Sequence, residues 1–154
     1  MFLAAGYLED LRAGTVCPDA PGWDGLLVHP RLALVSATGC GKTAFLRHMA
    51  WLWTCAVLDV RQDTLLLPVY LPLRELSGPL PELLARRNRE RGWGLPDSFF
   101  AERIAAGACF LLLDGLGEAP DSGPYFLPAA DANRTVLAAR PDCRVPAGFH
   151  VARV

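Results

Sequence analysis

Arg31-Leu-Ala-Leu-Val-Ser-Ala-Thr-Gly-Cys-Gly-Lys-Thr43 is the stretch on which the fold turns. Residues 31–35 form a short apolar run of the kind that a parallel sheet buries on both faces. Two glycines, Gly39 and Gly41, follow it, and then Lys42 and Thr43. From Lys42 to about Val57 the pattern is helical, with Phe45, Met49, Leu52 and Ala56 at steps of three and four. A strand, a glycine-rich turn, Gly-Lys-Thr and a helix are the setting that a phosphate-binding loop requires.

The chemistry behind that pattern is specific. Successive backbone N–H groups and the N-terminus of the following helix converge on a phosphate, and glycines let the backbone curl around it. A lysine at the place of Lys42 reaches the β- and γ-phosphates, and a hydroxyl at the place of Thr43 binds Mg²⁺. The candidate loop therefore comprises Ser36, Ala37, Thr38, Gly39, Cys40, Gly41, Lys42 and Thr43. Ser36 departs from the pattern, in which glycine usually stands first.

Working outward, Leu65–Leu71 reads as a second strand, and Pro68 favours an edge position because proline cannot donate to the ladder. A helix is expected from near Pro81 to about Arg91, broken by Gly92 and Gly94. Another runs from Ser98 as N-cap to Gly107 as C-cap. Cys109–Asp114 is the most hydrophobic short run and ends in a carboxylate. Thr135–Ala139 reads as a fourth strand and residues 149–154 as a fifth. Residues 3–12 suit the end of a helix, and 14–25 carry loop chemistry. Strands that alternate with helices predict an α/β fold with a mostly parallel sheet in three layers. The expected division is a lead-in over residues 1–29 and one domain over 30–154. That domain stops on a strand-like segment with no closing helix, as a truncated domain would.

Composition narrows the classes. The chain has 154 residues, 52% of them hydrophobic, which is material for one domain with a real core. A net charge of -1 argues against a dedicated binder of nucleic acid or of an anionic membrane. Of 15 basic residues only Lys42 is a lysine, and it stands where a phosphate loop needs one. Five cysteines without a Cys-x-x-Cys spacing suggest neither a disulfide framework nor a zinc site, and read as reduced, mostly buried thiols. The amino terminus lacks a basic region and meets Glu9 and Asp10, unlike a signal peptide. The longest apolar run, Met49–Leu58, falls far short of the ~20 residues of a membrane span. The expected setting is the cytoplasm.

Three further side chains suit the same chemistry. Asp114 ends a hydrophobic strand well downstream of the loop, where a carboxylate holds Mg²⁺, usually through water. An aspartate in that place also serves as a turn cap. Glu118, four residues on, suits a group that orients or deprotonates an attacking water. Arg140 follows the fourth strand, where an arginine either reaches a γ-phosphate or stays on the surface. The basic run Arg86–Arg91 reads as a solvated helix end, and His29, His48 and His150, like Trp51 and Trp53, read as structural.

With these elements in place, the chain resembles the NACHT domain, a branch of the STAND class of signal-transduction NTPases. Four segments carry the likeness. Leu34–Leu46 is similar to the family's Walker A motif, and Leu67-Pro-Val-Tyr-Leu-Pro-Leu-Arg-Glu-Leu76 to its second strand, which runs into Leu-Arg-Glu-Leu. Phe110-Leu-Leu-Leu-Asp-Gly-Leu-Gly-Glu118 resembles the extended Walker B motif, usually Asp-Gly-Leu-Asp-Glu. Arg134-Thr-Val-Leu-Ala-Ala-Arg-Pro141 resembles the strand that ends in Thr-Ser-Arg-Pro. The likeness covers roughly residues 30–145.

That resemblance implies a P-loop NTPase fold in which the Arg140 strand lies between the Walker A and Walker B strands. It implies binding of ATP, or GTP, with Mg²⁺, held by the phosphate loop, Thr43 and Asp114. It also implies slow hydrolysis served by Glu118 and Arg140, and a nucleotide-dependent conformational and oligomerisation switch. Such domains self-associate or act through attached effector and sensor domains, often in immunity or in bacterial defence.

The departures gather around hydrolysis. Ser36 replaces a glycine, Gly117 replaces the second acidic residue of Walker B, and Ala138-Ala139 removes the hydroxyls before the arginine. Three prolines and a glycine in Pro120–Pro128 argue against a full helix there, and its loss would leave one sheet face thinly covered. The alternative from another class is a non-hydrolysing scaffold, stabilised by nucleotide, that works through protein contacts. A small-molecule kinase is disfavoured, because no arginine-rich lid follows the Walker B strand.

Overall fold

The computed structural model describes residues 28–60 and 66–153. The expected lead-in helix and loop, within 1–27, and Leu65 of the second strand lie outside the described residues. Five strands form one sheet: β1 (Arg31–Val35), β2 (Leu67–Pro72), β3 (Cys109–Asp114), β4 (Arg134–Ala139) and β5 (His150–Arg153). Their order is β2-β3-β4-β1-β5 and every pairing is parallel. Pro68 does lie on an edge strand, since β2 pairs with β3 alone in that order. The strand that ends at Arg140 lies between β1 and β3.

Among the described residues four α-helices connect the strands: α1 (Lys42–Val60), α2 (Leu80–Arg91), α3 (Phe99–Ala105) and α4 (Gly123–Ala132). The alternation of side chains along each strand divides the core in two. Leu32, Leu34, Phe110, Leu112, Val136 and Ala138 face α1 and meet Phe45, Leu46, Met49 and Ala50. Ala33, Val35, Val69, Leu111, Leu113 and Leu137 face the other way and pack with Leu83 and Leu84 of α2, Phe100 of α3 and Phe126 of α4. The molecule is thus an α/β sandwich with helices on both faces of a parallel sheet. Such a sheet buries its strands on both sides, which is why β1 and β3 read as continuous apolar runs.

The expectation that Pro120–Pro128 forms no full helix holds only at its start. After a 3₁₀ turn at Pro120–Ser122, α4 runs from Gly123 to Ala132 with Pro128 inside it. Pro124 stands in the first turn, where the backbone N–H would have no intrahelical partner. Pro128 is exposed, so the carbonyl it fails to satisfy can meet water. Phe126, Ala129 and Ala130 are 0–4% exposed on the inner side. Burying Phe126 alone contributes about 1.5–3 kcal/mol. Tertiary packing outweighs the proline penalty, and the sheet face expected to be thin is covered.

Asn133 locks α4 to its neighbours. Its Nδ2 donates to the carbonyls of Ile104 (2.9 Å) and Ala129 (2.8 Å), and its Oδ1 accepts from the Cys109 N–H (2.9 Å). One buried amide therefore joins the ends of α3 and α4 to the start of β3. The cysteines are also less buried than expected. Among the described ones Cys109 is buried, Cys55 and Cys143 are intermediate and Cys40 is exposed, all as free thiols. No helix among the described residues is long and apolar enough to cross a membrane.

Candidate functional site

The carboxyl ends of β1, β4 and β3 lie side by side, and they carry Ser36, Arg140 and Asp114 respectively. In open α/β sheets this edge is where ligands bind. A groove of about 400 Å³ lies along it, lined by Thr38, Gly39, Gly41, Lys42, Thr43, Ala44, Arg47, Asp114, Gly115, Glu118, Ala138, Ala139 and Arg140. Candidate residues from three separate parts of the sequence thus line one surface.

The loop owes its shape to two glycines in the left-handed region, Gly39 (φ 87°) and Gly41 (φ 80°). A Cβ at either would meet nothing within 4 Å, so glycine is needed there for conformation and not for space. Helix α1 starts directly after, its first bond running from the Phe45 N–H to the Gly41 carbonyl (2.8 Å). Its N-terminus opens on the groove, a setting favourable to an anion.

Lys42 is anchored by its own loop. Its Nζ donates to the carbonyls of Ser36 (2.7 Å) and Ala37 (2.8 Å) and lies 3.1 Å from Ser36 Oγ. Ser36 is buried, at 4% exposure. The serine that replaces the expected glycine is therefore a partner of the lysine. Ser36, Ala37 and Cys40 do not line the groove; Ser36 and Ala37 hold Lys42 through their carbonyls, and Cys40 is exposed.

Asp114 is 9% exposed, at the end of β3, and its Oδ2 accepts from the Tyr70 hydroxyl (3.1 Å). Arg47, on α1, donates through Nε to the same hydroxyl oxygen (3.3 Å) and lies 5.7 Å over the Tyr70 ring. Burial is the main cause that pushes the Tyr70 phenol above its ordinary value, against the opposing pull of the Arg47 bond. The bond to Tyr70 is likewise the main cause that raises the Arg47 guanidinium.

Glu118 sits in the 3₁₀ turn Leu116–Glu118 after β3. It is half-exposed and faces two arginines, Arg74 at 3.3 Å and Arg140 at 3.8 Å. At that exposure each pair is worth little to stability, about 0–1 kcal/mol. The pairs do fix where the carboxylate points. The Arg86–Arg91 run is engaged with acids as a solvated face is: Arg86 with Glu90, Arg87 with Glu75 and Arg89 with Asp97. Trp53 packs edge-on against Phe110 with centroids 4.9 Å apart, and His29 stacks on His150 at 3.6 Å.

Sequence reasoning did not assign roles to Arg47, Tyr70 or Arg74. Arg47 follows Thr43 by four residues, so the two share a helix face, and that spacing was a usable signal. Tyr70 and Arg74 stood inside the strand segment used for the family likeness, but their reach across to β3 and Glu118 is a property of the sheet register. No protein-family model matches the chain, and no characterised protein matches it in sequence.

Proposed function

We propose that this chain is a P-loop NTPase domain of NACHT type that binds Mg²⁺ with ATP, or with GTP, and acts as a nucleotide-dependent conformational and oligomerisation switch. One observation carries the reading. Lys42, behind a glycine turn at the head of α1, and Asp114, at the end of a strand two places along the sheet, line the same groove. A phosphate needs the first group and its metal needs the second.

The residues suit the ligand. The space over Gly39 and Gly41 is open, and the N-terminus of α1 follows them directly. Among the described residues no three His, Cys, Asp or Glu side chains are grouped to hold a metal ion. Mg²⁺ does not ask for that, since it takes one or two protein oxygens and completes its shell with phosphate and water. Thr43 and Asp114 meet the smaller demand. When bound, Mg²⁺ neutralises charge that develops on the phosphates.

In this reading Lys42 and the loop N–H groups hold phosphate, Thr43 and Asp114 hold the metal, Glu118 orients water and Arg140 contacts the γ-phosphate. Binding is better provided for than turnover. Glu118 is engaged by Arg74 and Arg140, and Ala138 and Ala139 offer no hydroxyl at the groove. The same two ion pairs favour the second reading, a scaffold that binds nucleotide without hydrolysing it. Either way the partners are other copies of the chain or effector and sensor domains attached to it.

Calorimetric ATP binding and phosphate release, measured for wild type, Lys42→Ala and Glu118→Ala, test both readings. Wild type should bind ATP with Mg²⁺, and Lys42→Ala should lose at least tenfold in affinity, about 1.4 kcal/mol. Equal affinity in Lys42→Ala would falsify the phosphate-loop assignment. Phosphate release no faster in wild type than in Glu118→Ala would leave the scaffold.

A further inference from the structure

Tyr70 reaches Asp114 along the sheet diagonal. In the β2–β3 register Tyr70 stands opposite Leu112, two residues before Asp114. Diagonal neighbours of this kind lie within reach of aromatic side chains. The ring packs against the apolar layer under α1, and the hydroxyl reaches the Asp114 carboxylate.

The direction of each bond follows from the groups. A guanidinium has donors and no acceptor, so Arg47 can only donate to the phenol oxygen. The phenol proton is then left for Asp114 Oδ2. The chain Arg47–Tyr70–Asp114 is polarised one way, and such chains strengthen bond by bond in a low-dielectric setting. A phenol has two side-chain torsions, so a packed ring holds its hydroxyl closely in place.

We infer that Tyr70 is a positioning residue for the metal carboxylate: its hydroxyl fixes Asp114 through Oδ2 and is itself oriented by Arg47. The inference rests on the reading of Asp114 as a metal ligand. Partners of this kind act on metal affinity and leave phosphate contacts alone, because they touch the ligand and not the substrate. Lys42 is anchored by the Ser36 and Ala37 carbonyls and makes no use of Tyr70.

The test compares ATP affinity with Mg²⁺ and with EDTA, by calorimetry, in wild type, Tyr70→Phe and Lys42→Ala. The ratio of the two affinities measures what the metal adds. In Tyr70→Phe that ratio should fall on the order of tenfold while the affinity in EDTA stays at the wild-type value. Arg47→Gln should shift the ratio in the same direction by less. An unchanged ratio in Tyr70→Phe, with binding still dependent on Lys42, overturns the inference alone. Equal losses with Mg²⁺ and EDTA also overturn it, because they mark a structural role. Binding that does not depend on Lys42 overturns the underlying reading, and the inference with it.

Discussion

Gly117 packs against Cys143, and a side chain at position 117 would force the thiol to shift. A Cβ on Gly117 would stand 2.8 Å from Cys143 Sγ and 3.1 and 3.2 Å from Arg140 Cδ and Cγ. In the proposed NACHT reading this is the place of a second acid, and here a thiol and the stem of an arginine lie against it. Cys143 is brought there by a turn in which its N–H donates to the Arg140 carbonyl (3.1 Å).

Restoring the acid should therefore be costly. Gly117→Asp is expected to lose about 1–3 kcal/mol of stability by overpacking. Cys143→Ala should recover part of that loss, because it removes the nearest atom. Urea unfolding of the two single variants and the double variant gives the coupling directly. Additive losses, with a coupling below about 0.5 kcal/mol, would mean that the thiol contact does not decide the residue at 117.

Pro128 predicts a gain. It lies inside α4 on the exposed side, where its ring opposes the Pro124 carbonyl and it offers no N–H. Pro128→Ala restores the donor but frees the unfolded chain, which offsets about 0.4–1 kcal/mol. Set against a proline cost of about 3 kcal/mol inside a helix, the net expectation is about 2 kcal/mol of stabilisation. A melting temperature raised by several degrees checks it, and a lowered one would mean that Pro128 does not oppose α4.

Asn133 predicts a loss with a chemical signature. Asn133→Ala leaves the buried Cys109 N–H without its acceptor and takes a donor from the Ala129 carbonyl, while the Ile104 carbonyl keeps the Gly107 N–H; the loss should be roughly 1–3 kcal/mol. Asn133→Asp keeps an acceptor for the Cys109 N–H but cannot donate to Ile104 and Ala129 when ionised. It should be no more stable than the alanine variant near neutral pH. Denaturant midpoints for the two variants decide the point.

Cys109 predicts a pH dependence. Burial pushes its thiol from an ordinary 9.0 up to about 12, against a smaller opposing pull from Arg103. Between those values the unfolded chain gives up a proton that the folded chain keeps. The stability that rests on the neutral thiol is therefore complete below 9 and is lost as pH rises towards about 12. Urea unfolding above pH 9 should show a steeper decline in wild type than in Cys109→Ala. Parallel slopes would place the thiol in contact with water.

The strands and most helices were legible in the sequence because their causes are local. An apolar run flanked by turn residues makes a buried strand, and Pro68 declared an edge position by the donor it lacks. Glycine, lysine and threonine in Gly41-Lys-Thr43 declare their loop by spacing alone, since consecutive residues build it. Helix α4 was misread for the complementary reason. Local propensity opposes it, and what sustains it is the burial of Phe126, Ala129 and Ala130 against residues far along the chain.

The sequence by itself determined the parallel α/β architecture, the loop around Lys42 and the carboxylate at the end of β3. Only the tertiary structure decided what those groups touch. Tyr70 meets Asp114 across 44 positions of chain, and Arg74 meets Glu118 across the same separation. Strand order and register bring such residues together, and they are set by how both sheet faces are buried, a property of the whole chain. Ser36 shows the difference at short range. Its sequence position marked it as a departure from a glycine pattern, and its buried contact with Lys42 makes it part of the loop's support.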